Sequence, residues 1–433
     1  LWLTAEEVGF EFITSLATSL ENLFSIGSNY RIYKDLSSWD VSNVTNMDNL
    51  FSDKIISLPR VNIGYWDVSN VTSMKNMFSG TSFESTIITE GSIGSWDVSN
   101  VTDMTDMFSR SNFNEYLGSW DVSNVRDMTR MFFQNSSFNQ NLSSWDVSSV
   151  KSMDAMFSES VFNNDISTWD VSSVEYFTFM FASSSFNQII KDWNLASAKS
   201  IQGMFYNNKA FRQIIRSWDV SNVTNTEDLF MQSVFNGDIS NWDVSNVRRM
   251  GWMFLGSQFN RDISNWDVSN VVDMKYMFMD SEFNQDISAW DVSNVQDMSY
   301  IFNDNLLFDQ DLSSWDVSNV NQCELFFNYF DEWPDNKKPQ FSSCETGYEV
   351  NESGNFVNPI YLDENGFTFK ADQNIIPDRF YYLNNRKFWV PSQEIGISGG
   401  RMGNIMFGGS KEYTFHPHYH KIEQQYDYLW LTA

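Results

Sequence analysis

Three histidines stand at alternate positions near the end of the chain: His416, His418 and His420 are the only histidines among 433 residues. Alternation along an extended strand places the three imidazoles on one side, about 7 Å apart. Imidazole is a common transition-metal ligand, so the spacing would suit a metal site if Pro417 bends the strand enough for the rings to converge. The other interpretation is a packed or exposed edge strand. These three residues are the candidate metal ligands.

A carboxylate follows a recurring tryptophan through much of the chain. The aspartates are Asp40, Asp67, Asp97, Asp121, Asp146, Asp170, Asp219, Asp243, Asp267, Asp291 and Asp316. Each opens Asp-Val-Ser, usually followed by Asn, which is a composition typical of turns braced by the aspartate side chain. Stacked carboxylates would also attract Ca²⁺, although the glycine-rich spacing of calcium-binding β-rolls is absent. Turn bracing and a ladder of calcium sites are both compatible with the spacing.

The chain has two cysteines, Cys323 and Cys344, and they flank the point where the recurring pattern stops. A disulfide would attach the last repeat to the segment that follows, and two buried free thiols are the alternative. No nucleophile with a neighbouring general base can be identified elsewhere. We therefore predict a protein that is not an enzyme, with a metal-dependent enzyme in the C-terminal region as the less favoured alternative.

Tryptophan recurs every 24 or 25 residues through most of the first two-thirds of the chain. The series comprises Trp39, Trp66, Trp96, Trp120, Trp145, Trp169, Trp193, Trp218, Trp242, Trp266, Trp290 and Trp315. A fixed period in this range indicates stacked structural units, each of which contacts only its neighbours. We predict a solenoid of about twelve repeats of 24–30 residues over residues 20–330, preceded by an N-terminal cap at residues 1–19.

Residues 259–282 represent one repeat. Their apolar residues first stand in a short stretch typical of a strand, and then at helical spacing over at most two turns. The first set is Phe259, Ile263 and Trp266, and the second is Val271, Met274, Met277 and Phe278. Asn270 suits the helix N-cap. The predicted fold class is an α/β, leucine-rich-repeat-like solenoid with a short strand and a short helix in each unit.

Three repeats depart from this pattern. The repeat of Trp193 reads Trp-Asn-Leu-Ala-Ser-Ala and lacks the aspartate and both valines. Insertions lengthen the repeats before Trp66 and Trp96, at residues 53–62 and 84–92. Insertions in solenoids form loops on one face, which is often the binding face. A bend, a partner site or sequence drift would each explain the Trp193 repeat.

The composition changes after residue 330. Residues 331–347 form a polar, proline-bearing linker or cap, and residues 348–433 are predicted to be a small all-β domain. Short aromatic strands are expected at Phe367–Phe369, Phe380–Leu383, Phe388–Val390 and Tyr413–Phe415. The chain also opens and closes with the same five residues, Leu-Trp-Leu-Thr-Ala. A tandem array, a head-to-tail junction and a choice of chain ends would each produce that identity.

Residues 283–302 carry a family resemblance. They read Phe-Asn-Gln-Asp-Ile-Ser-Ala-Trp-Asp-Val-Ser-Asn-Val and continue to Met298, Ile301 and Phe302. This sequence resembles the repeat of BspA-like leucine-rich-repeat surface proteins of bacteria and mycoplasmas, over roughly residues 20–330. The resemblance implies a right-handed solenoid that is exposed on a surface and engaged in adhesion or protein contacts. The lipid anchor of that family is not implied, because no matching cysteine stands near the first residue.

The charge and hydropathy restrict the class of partner. The formal net charge is −29, and such an acidic surface disfavours nucleic acid and anionic lipid. No apolar run reaches the length of a membrane span. We therefore predict a structural or adhesive surface protein, outside the cell, on the cell surface or on a virion, whose partners are proteins or copies of itself. A soluble module that recognises one protein or glycan is the alternative.

Overall fold

The computed structural model describes residues 16–24, 31–32, 35–56, 61–84, 92–327, 333–342 and 344, and four strands between residues 379 and 431. The chain divides into two compact units. One contains Leu1–Phe326 with Trp333–Cys344, and the other contains Phe327–Glu332 with Glu345–Ala433. The predicted N-terminal cap lies mainly outside the described residues. Residues 18–24 already pair with the repeat that follows them, since Leu20 N–H donates to the Asn46 carbonyl over 2.9 Å.

One residue of each repeat pairs in parallel with the equivalent residue of the next repeat. The ladder runs through Ser19, Asn46, Ser73, Asp103, Asp127, Ser152, Tyr176, Ser200, Asn225, Arg249, Asp273, Asp297 and Gln322. Each pairing is a single bridge, so the repeats lie side by side with little continuous sheet.

A small parallel sheet includes Ile55–Ile56 of the first insertion and ends immediately before the second insertion. Strands β1 (Arg31–Ile32), β2 (Ile55–Ile56) and β3 (Ser82–Phe83) are hydrogen-bonded in that order. An ion pair of 2.7 Å between Arg31 and Glu84 spans it. Short 3₁₀ helices at Ile63–Tyr65 and Ile93–Ser95 precede Trp66 and Trp96. The described parts of the predicted surface loops are therefore hydrogen-bonded to neighbouring repeats.

The structure has turns where the sequence predicts a short helix. Residues 92–327 contain no α-helix. In the repeat of Trp266, Met277 N–H donates to the Met274 carbonyl, and Tyr276 between them has a left-handed φ of 57°. A left-handed residue interrupts helical hydrogen bonding, so the helix prediction is wrong. Asn270 accordingly caps no helix, and its side chain donates to the Ser245 carbonyl of the previous repeat over 2.8 Å.

The predicted strand of each repeat also lacks a backbone ladder. At its start, the N–H of Asn260 donates to the side-chain oxygen of Asn236 in the previous repeat, over 3.1 Å. Asn284 N–H donates to Asn260 in the same way over 3.0 Å. Asparagine side chains thus replace the carbonyls that a parallel strand would offer, and the stretch from Phe259 to Trp266 is not a strand.

Aromatic side chains fill the interior in columns. Trp242 and Trp266 stack with ring centroids 6.5 Å apart and planes within 1°. Phe254 and Phe278 stack at 5.7 Å in a second column. Methionines of the repeats, such as Met277, are also fully buried. Burial of this much aromatic and aliphatic surface is the main source of stability in the repeats.

The segment after the last repeat packs against it. Trp333 contacts Phe308 edge-to-face at 5.2 Å, and its indole N–H donates to the Gln310 carbonyl over 2.8 Å. A 3₁₀ helix at Asp335–Lys337 follows. Cys323 and Cys344 form a disulfide with a Cα–Cα distance of 6.0 Å.

In the second unit, β4 (Arg379–Leu383) and β5 (Arg386–Val390) pair antiparallel, with Tyr381 opposite Phe388. Strands β6 (Ile405–Phe407) and β7 (Leu429–Leu431) form a second antiparallel pair. The predicted strands Phe367–Phe369 and Tyr413–Phe415 lie outside the described residues. Among the residues that the structure describes, no helix is long and apolar enough to cross a membrane.

Candidate interaction surface

The aspartate after each tryptophan braces a turn. Asp267 accepts hydrogen bonds from the Ser269 backbone N–H at 3.0 Å and from its hydroxyl at 2.6 Å. These bonds lower the pKa of Asp267, since they stabilise the ionised carboxylate. In the described part of the chain, no group of three or more acidic, histidine or cysteine side chains is arranged to hold a metal ion. The hydrogen bonds from Ser269 match the turn interpretation of this row.

A second carboxylate row lies four residues before the tryptophans. Asp262 accepts the Ser264 N–H over 2.9 Å, and Asp286 accepts that of Ser288 over the same distance. Equivalent bonds join Asp35 to Ser37, Asp165 to Ser167, Asp238 to Ser240 and Asp311 to Ser313. Hydrogen bonds lower the pKa of Asp286, while repulsion from Asp262 acts in the opposite direction. Neighbouring carboxylates of this exposed row therefore repel each other.

Six of the twelve repeats lack this aspartate, and in two adjacent ones an apolar and a basic residue take the places of the aspartate and the serine. Ile189 and Ile214 occupy the aspartate position, and Lys191 and Arg216 occupy the serine position. Neither isoleucine is packed, since 53% of Ile189 and 70% of Ile214 is exposed. Both repeats have thus replaced a turn-bracing pair with an apolar and a basic side chain and have gained no burial. We call these four residues the Ile189–Ile214 patch.

Hydrogen bonds keep the two halves of the patch side by side. The Ser217 hydroxyl donates to the Lys191 carbonyl over 2.7 Å. The indole N–H of Trp218 donates to the Ile190 carbonyl over 2.9 Å. Ile189 and Ile214 therefore stand at equivalent positions of neighbouring repeats, and the interior below them is as regular as elsewhere.

Both cations of the patch are partly solvated. Arg216 forms an ion pair with Asp238 at 2.8 Å, and 49% of its side chain is exposed. Lys191 lies 3.6 Å from Asp192, and 56% of its side chain is exposed. The patch thus combines two exposed isoleucines with two half-exposed cations, each beside a carboxylate of its own chain, on a protein whose formal net charge is −29.

Comparison with protein families gives an assignment for the repeats. Residues 18–89, 81–185, 158–236 and 231–338 match the family described as Mycoplasma protein of unknown function, DUF285. The chain belongs to this family. The four matches together span 18–338, so the DUF285 region includes every tryptophan repeat, the patch and the carboxylate row. No curated protein and no solved structure matches the chain.

The Trp193 repeat also departs from the pattern outside the patch, at residues 194–198. Asn194 takes the place of the missing aspartate and accepts the Ala196 N–H over 3.0 Å, so the turn persists. The loss of that aspartate therefore leaves the DUF285 turn intact. Ile189 and Ile214 are not among the predicted site residues, although an alignment of the repeats at the position four residues before each tryptophan shows that they differ from aspartate.

Two partly buried carboxylates, Glu227 and Asp228, lie in the turns that follow Trp218. Burial raises the pKa of Asp228 to about 6, with a smaller contribution from the neighbouring Glu227. The Asp228 carboxylate accepts a long hydrogen bond of 3.4 Å from Gln202. Burial and the neighbouring Glu227 therefore destabilise the ionised form of Asp228. The stability of the DUF285 repeats is expected to depend on pH at this residue.

Of the remaining predicted site residues, His416, His418 and His420 lie outside the described residues, so the predicted metal site stays a prediction. Cys323 and Cys344 are at the end of the last repeat, where their disulfide attaches the terminal segment.

Proposed function

We propose that this DUF285 protein is a non-enzymatic structural or adhesive surface protein that contacts other proteins or further copies of itself through its repeats. The observation that carries the proposal is the division between interior and exterior. Tryptophan, phenylalanine and methionine side chains fill the interior, while exposed aspartates follow eleven of the twelve recurring tryptophans. Extended surfaces of stacked repeats suit recognition of macromolecules.

We further infer that the stacked repeats form a single solenoid related to BspA-like leucine-rich repeats. The parallel ladder from Ser19 to Gln322 supports this inference. The repeats also belong to one compact unit. The proposed repeat differs from the sequence-based expectation because its second half consists of turns with left-handed residues.

The proposed location is the cell surface or the extracellular space, with a virion surface as the alternative. A disulfide between Cys323 and Cys344 supports an oxidising location, because reduced thiols prevail in most cytosols. Membership of a Mycoplasma family is consistent with a cellular origin.

Two measurements test the proposal. Antibodies against the full chain are expected to label intact cells or particles of the organism that encodes it, and external protease is expected to remove the signal. The purified chain is also expected to self-associate in sedimentation or to bind those intact surfaces. Label that appears only after lysis, with a monomer that binds neither itself nor the surfaces, would contradict the proposal.

A soluble recognition module is the alternative, and one stoichiometric protein or glycan partner without assembly would favour it. The metal-dependent enzyme is tested separately through His416, His418 and His420. Elemental analysis that finds bound zinc, together with its loss in a triple alanine variant, would support that alternative.

A further inference from the structure

The Ile189–Ile214 patch replaces a stabilising turn with exposed apolar surface. In six repeats, an aspartate accepts the backbone N–H of the serine two residues later. Exchange of that pair for isoleucine and a cation removes the bond and offers no core contact, since both isoleucines are more than half exposed. Four other repeats also lack the aspartate and have Asn62, Ser92, Tyr116 and Asn141 in its place, but only the patch has an exposed isoleucine followed two residues later by a cation. Exposed apolar side chains in two adjacent repeats, without any structural gain, are typical of a functional surface.

We propose that the patch binds the carboxylate row of a second copy of this chain in a two-fold symmetric dimer. This inference rests on the proposed self-association and assigns its contact surface. The patch lies in the repeats of Trp193 and Trp218, whereas Asp262 and Asp286 lie in those of Trp266 and Trp290. The repeat of Trp242 separates the two pairs.

The symmetry of this arrangement follows from the order of the repeats. A two-fold axis at the repeat of Trp242 places Arg216 opposite the second copy's Asp262, and Lys191 opposite its Asp286. The same operation places the second copy's patch on the first copy's carboxylates, so every contact occurs twice. The distance between the two cations also matches the distance between the two carboxylates, because each pair occupies equivalent positions of adjacent repeats.

Charge favours this occupant. Hydrogen bonds from Ser264 and Ser288 lower the pKa of Asp262 and Asp286, and repulsion between neighbouring carboxylates of the row is a smaller contribution that opposes them. Cations from another copy would relieve that repulsion. The ion pair of Arg216 with Asp238 at 2.8 Å already shows a patch cation beside a carboxylate of this row. The isoleucines add apolar contact that a purely ionic pair would lack.

The long-range charge of the copies does not prevent this contact. A formal charge of −29 on each copy is repulsive. At physiological ionic strength, charges separated by more than about 8 Å are largely screened, whereas ion pairs that are partly buried in a contact are screened much less. The dimer is therefore expected near physiological salt and is weakened at very low salt.

The first test restores the repeat pattern. The variant I189D/K191S/I214D/R216S supplies the aspartate–serine pair in both repeats, so its thermal stability should equal or exceed that of the parent chain. Its dimer dissociation constant, measured by sedimentation at micromolar concentrations, should rise at least tenfold. Equal dimerisation of the folded variant and the parent would overturn the inference. The matched control is L306S/L307S, which alters two other exposed apolar residues and should leave dimerisation unchanged.

A charge exchange tests the partner surface. K191E/R216E and D262K/D286K should each fail to dimerise, since each variant places like charges opposite one another. An equimolar mixture should form a heterodimer, because the reversed patch then meets the reversed row and the unaltered patch meets the unaltered row. Failure of the mixture to associate, with both variants folded, would overturn the inference.

The outcome also separates this inference from the proposed function. A parent chain that stays monomeric at every concentration, yet binds intact surfaces, would overturn the dimer and leave the surface function standing. Self-association that persists in the restored variant would likewise retain the proposed function and reject this patch as its contact.

Discussion

The indole N–H of Trp290 donates a hydrogen bond of 3.1 Å to the carbonyl of Ile263, which lies one repeat earlier. The same carbonyl accepts the backbone N–H of Trp266 over 3.1 Å and closes a turn in its own repeat. One oxygen therefore fixes a local turn and the distance to the next repeat. Repetition of this bond explains why the DUF285 repeat contains tryptophan where another large apolar residue would fill the space.

Replacement of Trp290 by phenylalanine is expected to destabilise the folded chain by about 2–3 kcal/mol. The change removes the hydrogen bond and part of the buried ring, which is stacked at 6.4 Å against both Trp266 and Trp315. Chemical denaturation measures the effect. Tyr65→Phe is the control, because Tyr65 is 62% exposed and should change stability by less than about 0.5 kcal/mol. Equal effects of the two substitutions would argue against the indole bond.

Replacement of Asp267 by alanine should destabilise the fold by about 0.5–1 kcal/mol, since the Ser269 N–H loses its acceptor. Asp267→Asn should be milder, as Asn194 already performs this role in its own repeat. Because the pKa of Asp267 is lowered in the folded state, its contribution is present above its usual pKa of 3.8 and disappears as pH falls below that value. Identical denaturation curves for alanine and parent at pH 7 would contradict the turn role.

Calcium distinguishes the two interpretations of this row. The Asp267 carboxylate is already hydrogen-bonded to Ser269, so we expect millimolar Ca²⁺ or a chelator to leave the melting temperature of the repeats unchanged. Mg²⁺ at equal ionic strength is the control for screening. A rise of several degrees specific to Ca²⁺ would indicate that the row binds calcium after all.

Part of this architecture can be predicted from the sequence, because buried positions recur at fixed spacing. Trp266, Phe278 and Met277 were correctly assigned to the interior. The helix was not, since the spacing from Met274 to Met277 also fits a turn with a left-handed residue at Tyr276. The patch could not be predicted from one repeat, because Ile189 and Ile214 each stand beside the isoleucine of the apolar stretch and look like part of it. Only comparison of all repeats shows that they replace aspartate.

Replacement of Asp228 by asparagine should stabilise the chain by about 1–2 kcal/mol at pH 7, less than the roughly 3 kcal/mol of a full shift because the side chain is partly solvated. The folded pKa is raised from 3.8 to about 6. The protonated form therefore contributes stability below pH 3.8 that is lost as pH rises through 6. The difference between variant and parent should vanish near pH 4. Asp262→Asn is the control, since its pKa is lowered and the variant should show no gain at pH 7.

Reduction of the Cys323–Cys344 disulfide should destabilise the end of the stack by about 3 kcal/mol, the magnitude expected for a sequence separation of 21 residues. Hydrogen exchange of the Trp333 indole N–H reports the effect, since this group donates to the Gln310 carbonyl and the side chain is 5% exposed. We expect this proton to lose its protection at a lower denaturant concentration than the indole N–H groups of the repeats. The C323S/C344S variant should behave like the reduced chain. Coincident transitions in oxidised and reduced protein would show that the disulfide does not hold this segment.

Substitution of glycine for a left-handed residue should change stability in the opposite direction to the same substitution in a helix. Ala155 has a φ of 52°, so Ala155→Gly should relieve strain and stabilise the chain by about 0.5 kcal/mol, after the greater freedom of glycine in the unfolded state is considered. Gly256 occupies the second left-handed position of its repeat at φ 61°, and Gly256→Ala should destabilise by about 1 kcal/mol. A new methyl group there would lie 3.3 Å from a Gln232 side-chain carbon, which can move, so backbone strain dominates. In an α-helix, Ala155→Gly would instead destabilise by about 1 kcal/mol. Thermal denaturation of the two variants thus decides between turns and the helix that the spacing of methionines predicts.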